Sequence, residues 1–237
     1  MAWNDLSEQL SSLLDLEHAP VAITFHDESP ANGAPWFDAP MSEPTEDGRS
    51  GRAAAPCVFW MHAHESTFHT APADHGNCSV GRFTHGLAEA EDILDKADVG
   101  ALLDVGWVTM EAFGGVAALT QRPQAITYGP LGESAGDPDV VLLRLRPRQM
   151  MELGDAVTVE FSGKPQCQIL PRAAETGVIA ASMGCVLSRT RTGMGDDELT
   201  VAIPAGRVAE VVDALEPVTR ADDAVVGYAQ ADMQRFA

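Results

Sequence analysis

The alternation of apolar and polar residues predicts helices and strands that follow one another along the chain. Residues 4–17 are predicted to form an amphipathic helix because leucines recur there with helical spacing. The segment APVAITF, residues 19–25, is short, apolar and bounded by proline and charge, which predicts a buried strand. Three later apolar segments, QAITYGPL, DVVLLRL and ELTVAIP, predict further strands.

Further helices are predicted between and after these strands. Residues 86–107 are predicted to be mainly helical, and Pro147 fits the first turn of another helix. The segment CVFWMHA, which begins at Cys57, fits a helix or a strand, and residues 167–185 fit a helix, a turn and a short strand. AGRVAEVVDALEPV predicts a closing amphipathic helix. This order indicates an α/β domain, or an α+β domain, with a mixed sheet flanked by helices.

The sequence contains no internal repeat and no clear boundary between two domains. Residues 1–237 are predicted to form a single domain with a short C-terminal tail after about residue 217. Residues 27–55 are rich in proline, glycine and acidic side chains and lack periodicity, so they are predicted to be a loop insertion.

The chain is strongly acidic, with 15 basic and 35 acidic residues and a formal net charge of −20. This charge argues against binding to nucleic acid or to an anionic membrane, since both need a basic face. No segment approaches the roughly 20 apolar residues of a membrane-spanning helix. The N-terminus also lacks the basic and apolar regions of a secretory signal. These observations predict a cytoplasmic protein.

The chain has four cysteines, and none of them forms a C-x-x-C pair: Cys57, Cys78, Cys167 and Cys185. Because a reducing cytoplasm disfavours disulfides, their roles reduce to metal binding, catalysis or burial. Spacing alone favours buried free cysteines over a metal site.

Seven motifs follow one another along the chain: APVAITF, APCVFW, FHTAPADHGNCSVG, DPDVVLLRLRPRQMMEL, QCQILPRAAETG, SMGCVLSR and DDELTVAIPAGRVAEVV. Their order resembles that of the domain of unknown function 169 family of cytoplasmic bacterial and archaeal proteins. The resemblance covers roughly residues 4–215, and the four cysteines fall on the family's four cysteine-bearing motifs. One departure is NCSVG, where relatives more often have a Cys-Pro-Gly-Gly turn. The resemblance implies a fold and a set of motifs, but no reaction.

Taken together as the resemblance suggests, the four cysteines are candidate ligands of one centre. Each lies at a turn: after Pro56, within residues 76–81, next to Pro165, or after Gly184. Pairs from the two halves of the chain then meet at a [4Fe-4S] cluster or at a zinc ion. The cluster is preferred because structural zinc uses closer pairs and a chain of this size folds without a metal. Zinc and the absence of any metal stay open.

The resulting hypothesis is an iron–sulfur protein that acts on or senses a small molecule, through lyase or reductase chemistry if it is an enzyme. A redox partner is compatible with this reading. One alternative is a metal-free small-molecule binding protein with buried cysteines. Another is a thiol enzyme that uses Cys78 as its nucleophile. The apolar stripe of the last helix is the only hint of a homodimer.

Histidines and arginines near the cysteines are further candidates. His75 and His69 are candidate general acid/base residues or replacement ligands, with a surface position as the alternative. Arg82, Arg189 and Arg172 follow cysteine motifs, so each is a candidate to bind an anionic substrate or to balance the charge of a cluster. Ordinary surface ion pairs are the alternative for all three.

Overall fold

The fold is that of a computed structural model, which describes residues 2–30, 33–38 and 53–235. Its centre is a seven-stranded mixed sheet covered by helices on both faces, so the predicted α/β class is confirmed. The strands are β1 (Val21–His26), β2 (Phe68–Thr70), β3 (Ala125–Pro130), β4 (Val140–Leu145), β5 (Glu160–Phe161), β6 (Ala180–Ser182) and β7 (Leu199–Pro204).

The helices that can be described vary widely in length. They are α1 (Trp3–Leu13), α2 (Pro56–His62), α3 (Ser79–Thr84), α4 (Ala97–Asp104), α5 (Met110–Gly114), α6 (Pro147–Ala156), α7 (Ile169–Thr176), α8 (Val186–Thr192) and α9 (Val208–Met233). Although α9 has 26 residues, neither it nor any other helix in the described part of the chain is long and apolar enough to cross a membrane.

The strand order across the sheet is β2-β3-β1-β4-β7-β6-β5. Among the strands of the described residues, β5 and β6 pair in parallel, and the other neighbouring strands are antiparallel. Strand β1 pairs with strands on both sides: Val21 lies opposite Pro130 of β3 and opposite Leu142 of β4. The apolar strand segments of the sequence therefore occupy the middle of the sheet, where both faces are covered.

Successive residues of each strand point to opposite faces, and this creates two hydrophobic cores. On β4, Val140 and Leu142 face a core shared with α2 and α7, which we call the cysteine face because Cys57 and Cys167 belong to it. Val141 and the other alternate residues of β4 face a core built with α1, α6 and α9, which we call the opposite face. A smaller cluster of Ile93, Val99 and Phe113 lies under α4 and α5.

Several predicted elements are confirmed, but one predicted helix is not. The predicted strands at 19–25, at QAITYGPL, at DVVLLRL and at ELTVAIP form β1, β3, β4 and β7, and Pro147 begins α6. The long helix predicted over residues 86–107 is wrong, because only Ala97–Asp104 is helical. Before it, the Asp92 carboxylate accepts the Glu89 backbone N–H at 3.1 Å, a local bond that favours a turn over a helix.

The segments around residues 27–55 and after residue 217 are described only in part. Of the predicted loop insertion, residues 31–32 and 39–52 lie outside the described residues. Within its described part, Trp36 forms an isolated bridge to His69. The segment predicted as a tail is helical, because α9 continues through Pro217 as far as Met233.

Candidate functional site

All four cysteines line a single cavity of about 270 Å³ on the cysteine face of the sheet. None of them forms a disulfide; Cys57 and Cys167 are buried, and Cys78 and Cys185 are half-buried. The fold thus brings together four residues that lie in distant parts of the sequence. A cavity lined by four free thiols is the feature of this molecule that most clearly offers chemistry.

The two buried cysteines lie at the beginnings of helices that pack on the sheet. Cys57 is the second residue of α2, directly after Pro56, whose fixed φ suits the first turn of a helix. Cys167 lies in the short 3-10 turn Gln166–Gln168, which leads into α7. Both side chains therefore reach the cavity from elements fixed by the hydrophobic core.

The two half-buried cysteines share one local geometry at the N-caps of α3 and α8. The sulfur of Cys78 accepts the backbone N–H of Gly81 at 3.4 Å, and the sulfur of Cys185 accepts that of Ser188 at 3.3 Å. In each case sulfur replaces the side-chain oxygen that usually caps the third helical N–H. This bond fixes the direction of both thiols toward the cavity.

Two glycines make this arrangement possible. A Cβ atom on Gly81 would lie 2.7 Å from Cδ of Pro56, so only glycine allows α3 to pack closely against the start of α2. Gly184 has φ of +91°, a conformation that favours glycine, and it turns the chain from β6 to Cys185.

The thiols are close enough to interact electrostatically. Burial, with smaller contributions from the neighbouring thiols of Cys78 and Cys185, raises the pKa of Cys57 to about 11. Burial also raises the pKa of Cys167 well above its usual range, again with a contribution from the other three cysteines. Without a nearby cation these groups are neutral thiols, and a bound metal would favour their ionised forms.

Each buried thiol has a polar neighbour that favours the thiolate. The hydroxyl of Ser188 lowers the pKa of Cys57, and the hydroxyl of Thr84 lowers that of Cys167, although burial dominates in both. Burial raises the pKa of Cys78 as well, and the guanidinium of Arg191 opposes that increase through its charge and a hydrogen bond. Hydroxyl groups and positive charge close to sulfur ligands are a common feature of metal centres.

The outer wall of the cavity is apolar. It is lined by Val80, Leu102, Trp107, Pro165, Val186 and Leu187. Val186 and Trp107 remain 72% and 37% exposed, so the mouth opens to solvent. The ammonium group of Lys164 lies 4.8 Å from the centroid of the Trp107 ring, within the range of a cation–π contact.

Comparison with known protein families shows which family this chain belongs to. Residues 9–214 match the family described as Uncharacterised ArCR, the domain of unknown function 169. The chain belongs to this family. The predicted resemblance is thereby confirmed, and the matched residues include all four cysteines. No curated protein and no solved structure matches the chain.

The donors that line the cavity are thiols, the ligand type of zinc sites and of iron–sulfur clusters. In the described part of the chain, no group of three or more histidine, cysteine, aspartate or glutamate side chains could hold a metal ion. A tetrahedral zinc ion needs its four sulfurs only about 3.8 Å apart, because each Zn–S bond measures about 2.3 Å. A four-iron cluster binds each thiolate to a different iron, so its ligands are more widely spaced around one cavity.

The histidines predicted from their positions near Cys78 do not line the cavity. His75 is fully buried, with Nδ1 at 3.1 Å from the carbonyl oxygen of Ala71 and Nε2 at 3.2 Å from the hydroxyl of Tyr128. His69 is on β2 at the opposite face of the sheet, where its Nδ1 lies 2.8 Å from the hydroxyl of Thr127. Their predicted catalytic roles gain no support from these positions.

The predicted arginines also lie elsewhere. Arg189 donates to the backbone carbonyls of Met183, Gly195 and Glu198, and so holds α8 to the loop before β7. Arg82 donates to the carbonyl of Leu87 at 3.3 Å, which ties the two ends of a turn. The third candidate, Arg172, forms an ion pair with Glu160. These groups are used structurally.

The arginine that does reach the cavity is Arg191, which the sequence interpretation missed. Cys185, Ser188 and Arg191 are spaced three residues apart, which places them on one face of α8. With a helix after Cys185, the same spacing predicts that Arg191 faces the thiols. The sequence instead predicts a strand that ends at Cys185, whereas β6 ends at Ser182.

Proposed function

We propose that this protein binds one [4Fe-4S] cluster through Cys57, Cys78, Cys167 and Cys185, and acts on or senses a small molecule at the cavity they line. The observation that carries the proposal is the convergence of four free thiols on one cavity, from four separate elements. The two sulfur N-caps add support, since they hold half-buried thiols in fixed directions.

The residues around the sulfurs suit this role. Ser188, Thr84 and Arg191 each favour a thiolate at the cysteine they approach, and Arg191 also brings a positive charge beside Cys78. With all four cysteines bound, the cluster would supply one-electron chemistry; bound by only three of them, it would have an open iron that acts as a Lewis acid. The apolar wall limits the access of water and strengthens electrostatic interactions at the sulfurs.

An open mouth favours a role that includes a small molecule over electron transfer alone. The half-buried Cys78 and Cys185 lie at the solvent side of the set, where a ligand can enter. If the protein is a reductase, it takes its electrons from a redox partner. If it is a lyase, no external electrons are needed.

The test is the iron and sulfide content, with the visible spectrum, of protein reconstituted without oxygen. We expect about four irons and four sulfides per chain, and single Cys→Ser variants at the four positions should each lose half or more of the iron. Met151→Ser is the matched control, because Met151 is exposed on α6 outside the cavity. A colourless protein that retains no iron after reconstitution would contradict the proposal.

The apolar cavity also supports a second candidate, a metal-free protein that binds a small apolar molecule. Under this alternative the four cysteines are wall residues, and their replacement by serine changes stability but no metal content. The third reading, a thiol enzyme that uses Cys78, is less well supported, because burial raises the pKa of this thiol and so reduces its nucleophilic form.

A further inference from the structure

Arg191 is a cation at the cavity that has no carboxylate partner among the described residues. Several other arginines in this acidic protein do have one: Arg144 pairs with Glu198 at 2.7 Å, and Arg207 pairs with Glu210 at 2.7 Å. Arg191 lines the cavity together with Cys78, and its positive charge lowers the pKa of that thiol. An arginine that lines a cavity without a fixed anion is available to bind an anionic ligand.

The acidic residue of the cavity does not neutralise this charge. The Asp98 carboxylate accepts the backbone N–H of Ser79 at 2.9 Å and its hydroxyl at 2.7 Å. It also accepts the backbone N–H of Val99 at 3.2 Å. Asp98 therefore links α4 to α3, and it forms no ion pair with Arg191 in the described structure.

The rest of the cavity limits the size and polarity of such a ligand. The lining also includes the polar side chains of Asp98, Gln166 and Ser188, but most of its other side chains are apolar, among them Leu102, Trp107 and Leu187. A volume of about 270 Å³ lies just below the usual range of ligand pockets, which begins at about 300 Å³. The ligand must therefore be small, with one anionic end and an apolar body.

We propose that the cavity binds a small carboxylic acid, with its carboxylate on Arg191 and its apolar chain against Trp107 and Leu187. The planar guanidinium matches a carboxylate through two parallel hydrogen bonds. Lys164, stacked on Trp107, adds a second positive charge at the mouth and attracts anions that the net charge of −20 otherwise repels. The inference rests on the proposed function in taking this cavity as the place where the small molecule acts.

The experiment compares hexanoate with hexanamide, which has the same chain and no charge, by titration of the intrinsic tryptophan fluorescence, since Trp107, one of the four tryptophans, lines the cavity. We expect hexanoate to bind about ten- to a hundredfold more tightly, the range given by hydrogen bonds to a charged group. Arg191→Gln should abolish this preference while it retains weak binding of both compounds. Arg220→Gln on the exposed part of α9 is the matched control and should keep the preference. Trp107→Phe should remove the change in fluorescence that ligand binding causes.

Three results would overturn the inference: no saturable binding of hexanoate, equal affinity for both compounds, or an unchanged preference in Arg191→Gln. Arg191→Lys is the substitute variant if Arg191→Gln fails to fold. It keeps the positive charge without the paired hydrogen bonds, so its preference for hexanoate should be intermediate. The titrations are made on iron-free and on iron-reconstituted protein. Failure to bind iron counts against the proposed function alone, because the iron-free titration still tests Arg191.

Discussion

Acid is expected to destabilise the protein through two fully buried histidines, His75 and His85. With Nδ1 protonated, the ring of His75 donates to the Ala71 carbonyl oxygen at 3.1 Å. The ring of His85 donates in the same way to the Gly81 carbonyl oxygen at 2.8 Å, and it stacks on Trp60. Each imidazole is thus held in its neutral form, and a second proton would place a charge in the hydrophobic core.

The magnitude follows from the pKa values. Burial lowers the pKa of His75 to about 3 and that of His85 to about 4, whereas an unfolded histidine has a pKa of about 6.5. Below pH 6.5 the unfolded chain binds protons that the folded chain does not, so the free energy of unfolding decreases as the pH falls. At pH 5 each histidine accounts for about 2 kcal/mol, since each pH unit below 6.5 contributes about 1.36 kcal/mol.

The loss begins near pH 6.5 and continues to about pH 4 for His85 and about pH 3 for His75. The assay is urea unfolding of iron-free protein at pH 7 and pH 5. Between these two conditions the wild type should lose about 2 kcal/mol more than either His75→Gln or His85→Gln, because each variant lacks one of the two groups.

The carboxylates contribute equally to the pH dependence of the wild type and of the variants, so the difference between wild type and variant removes their effect. His62→Gln is the control, because His62 is exposed on α2, and this variant should keep the wild-type pH dependence. If both buried-histidine variants lose as much stability between pH 7 and pH 5 as the wild type, the reasoning is refuted.

Two further substitutions test the packing beside the cavity and the polar core behind it. Gly81→Ala places a Cβ atom 2.7 Å from Cδ of Pro56, so we expect a loss of about 1–3 kcal/mol in urea unfolding. The displaced α3 should also reduce iron retention by reconstituted protein. Tyr128→Phe removes the hydroxyl that lies 3.2 Å from Nε2 of His75 and leaves a buried acceptor, which should cost about 1–3 kcal/mol in the same assay.

Matched variants control for the chemistry of each change. Gly100→Ala is the control for Gly81, because no atom lies within 4 Å of its added Cβ and alanine favours the helix. Tyr228→Phe is the control for Tyr128, since Tyr228 is 80% exposed on α9. Equal stability losses in a variant and its control would contradict the corresponding structural explanation.

Four strands of the sheet, β1, β3, β4 and β7, could be predicted from the sequence because they are apolar and clearly bounded, whereas the short strands β2 and β5 were not predicted. The helices between them were harder to predict. Residues 86–96 contain helix-forming residues, yet local side-chain bonds such as that from Glu89 to Asp92 keep this segment in turns. The missed helix α8 begins after Cys185, a residue rarely expected as an N-cap, although its sulfur accepts the N–H of Ser188.

The site was predictable as a set of residue types but not in its surroundings. The four cysteines were proposed together from family motifs, and the fold places them on one cavity. Sequence proximity to Cys78 suggested His75 as well, but the 3-10 turn Pro72–His75 directs that ring into the core toward Tyr128. Arg191 could not be chosen over Arg189, because the start of α8 decides which of them faces the thiols.

The cavity and the buried histidines are connected through α3, which is too short to be stable alone. Its first N–H groups are held by the sulfur of Cys78 and the carboxylate of Asp98, while its last turn carries Thr84 next to Cys167. His85 follows directly and bonds back to Gly81. A proton on His85 therefore acts on the same six residues that position Cys78 and Thr84. As the pH falls, we expect the iron retained by reconstituted protein and the free energy of unfolding to decrease over the same pH range. Both quantities depend on the packing of α3 against α2.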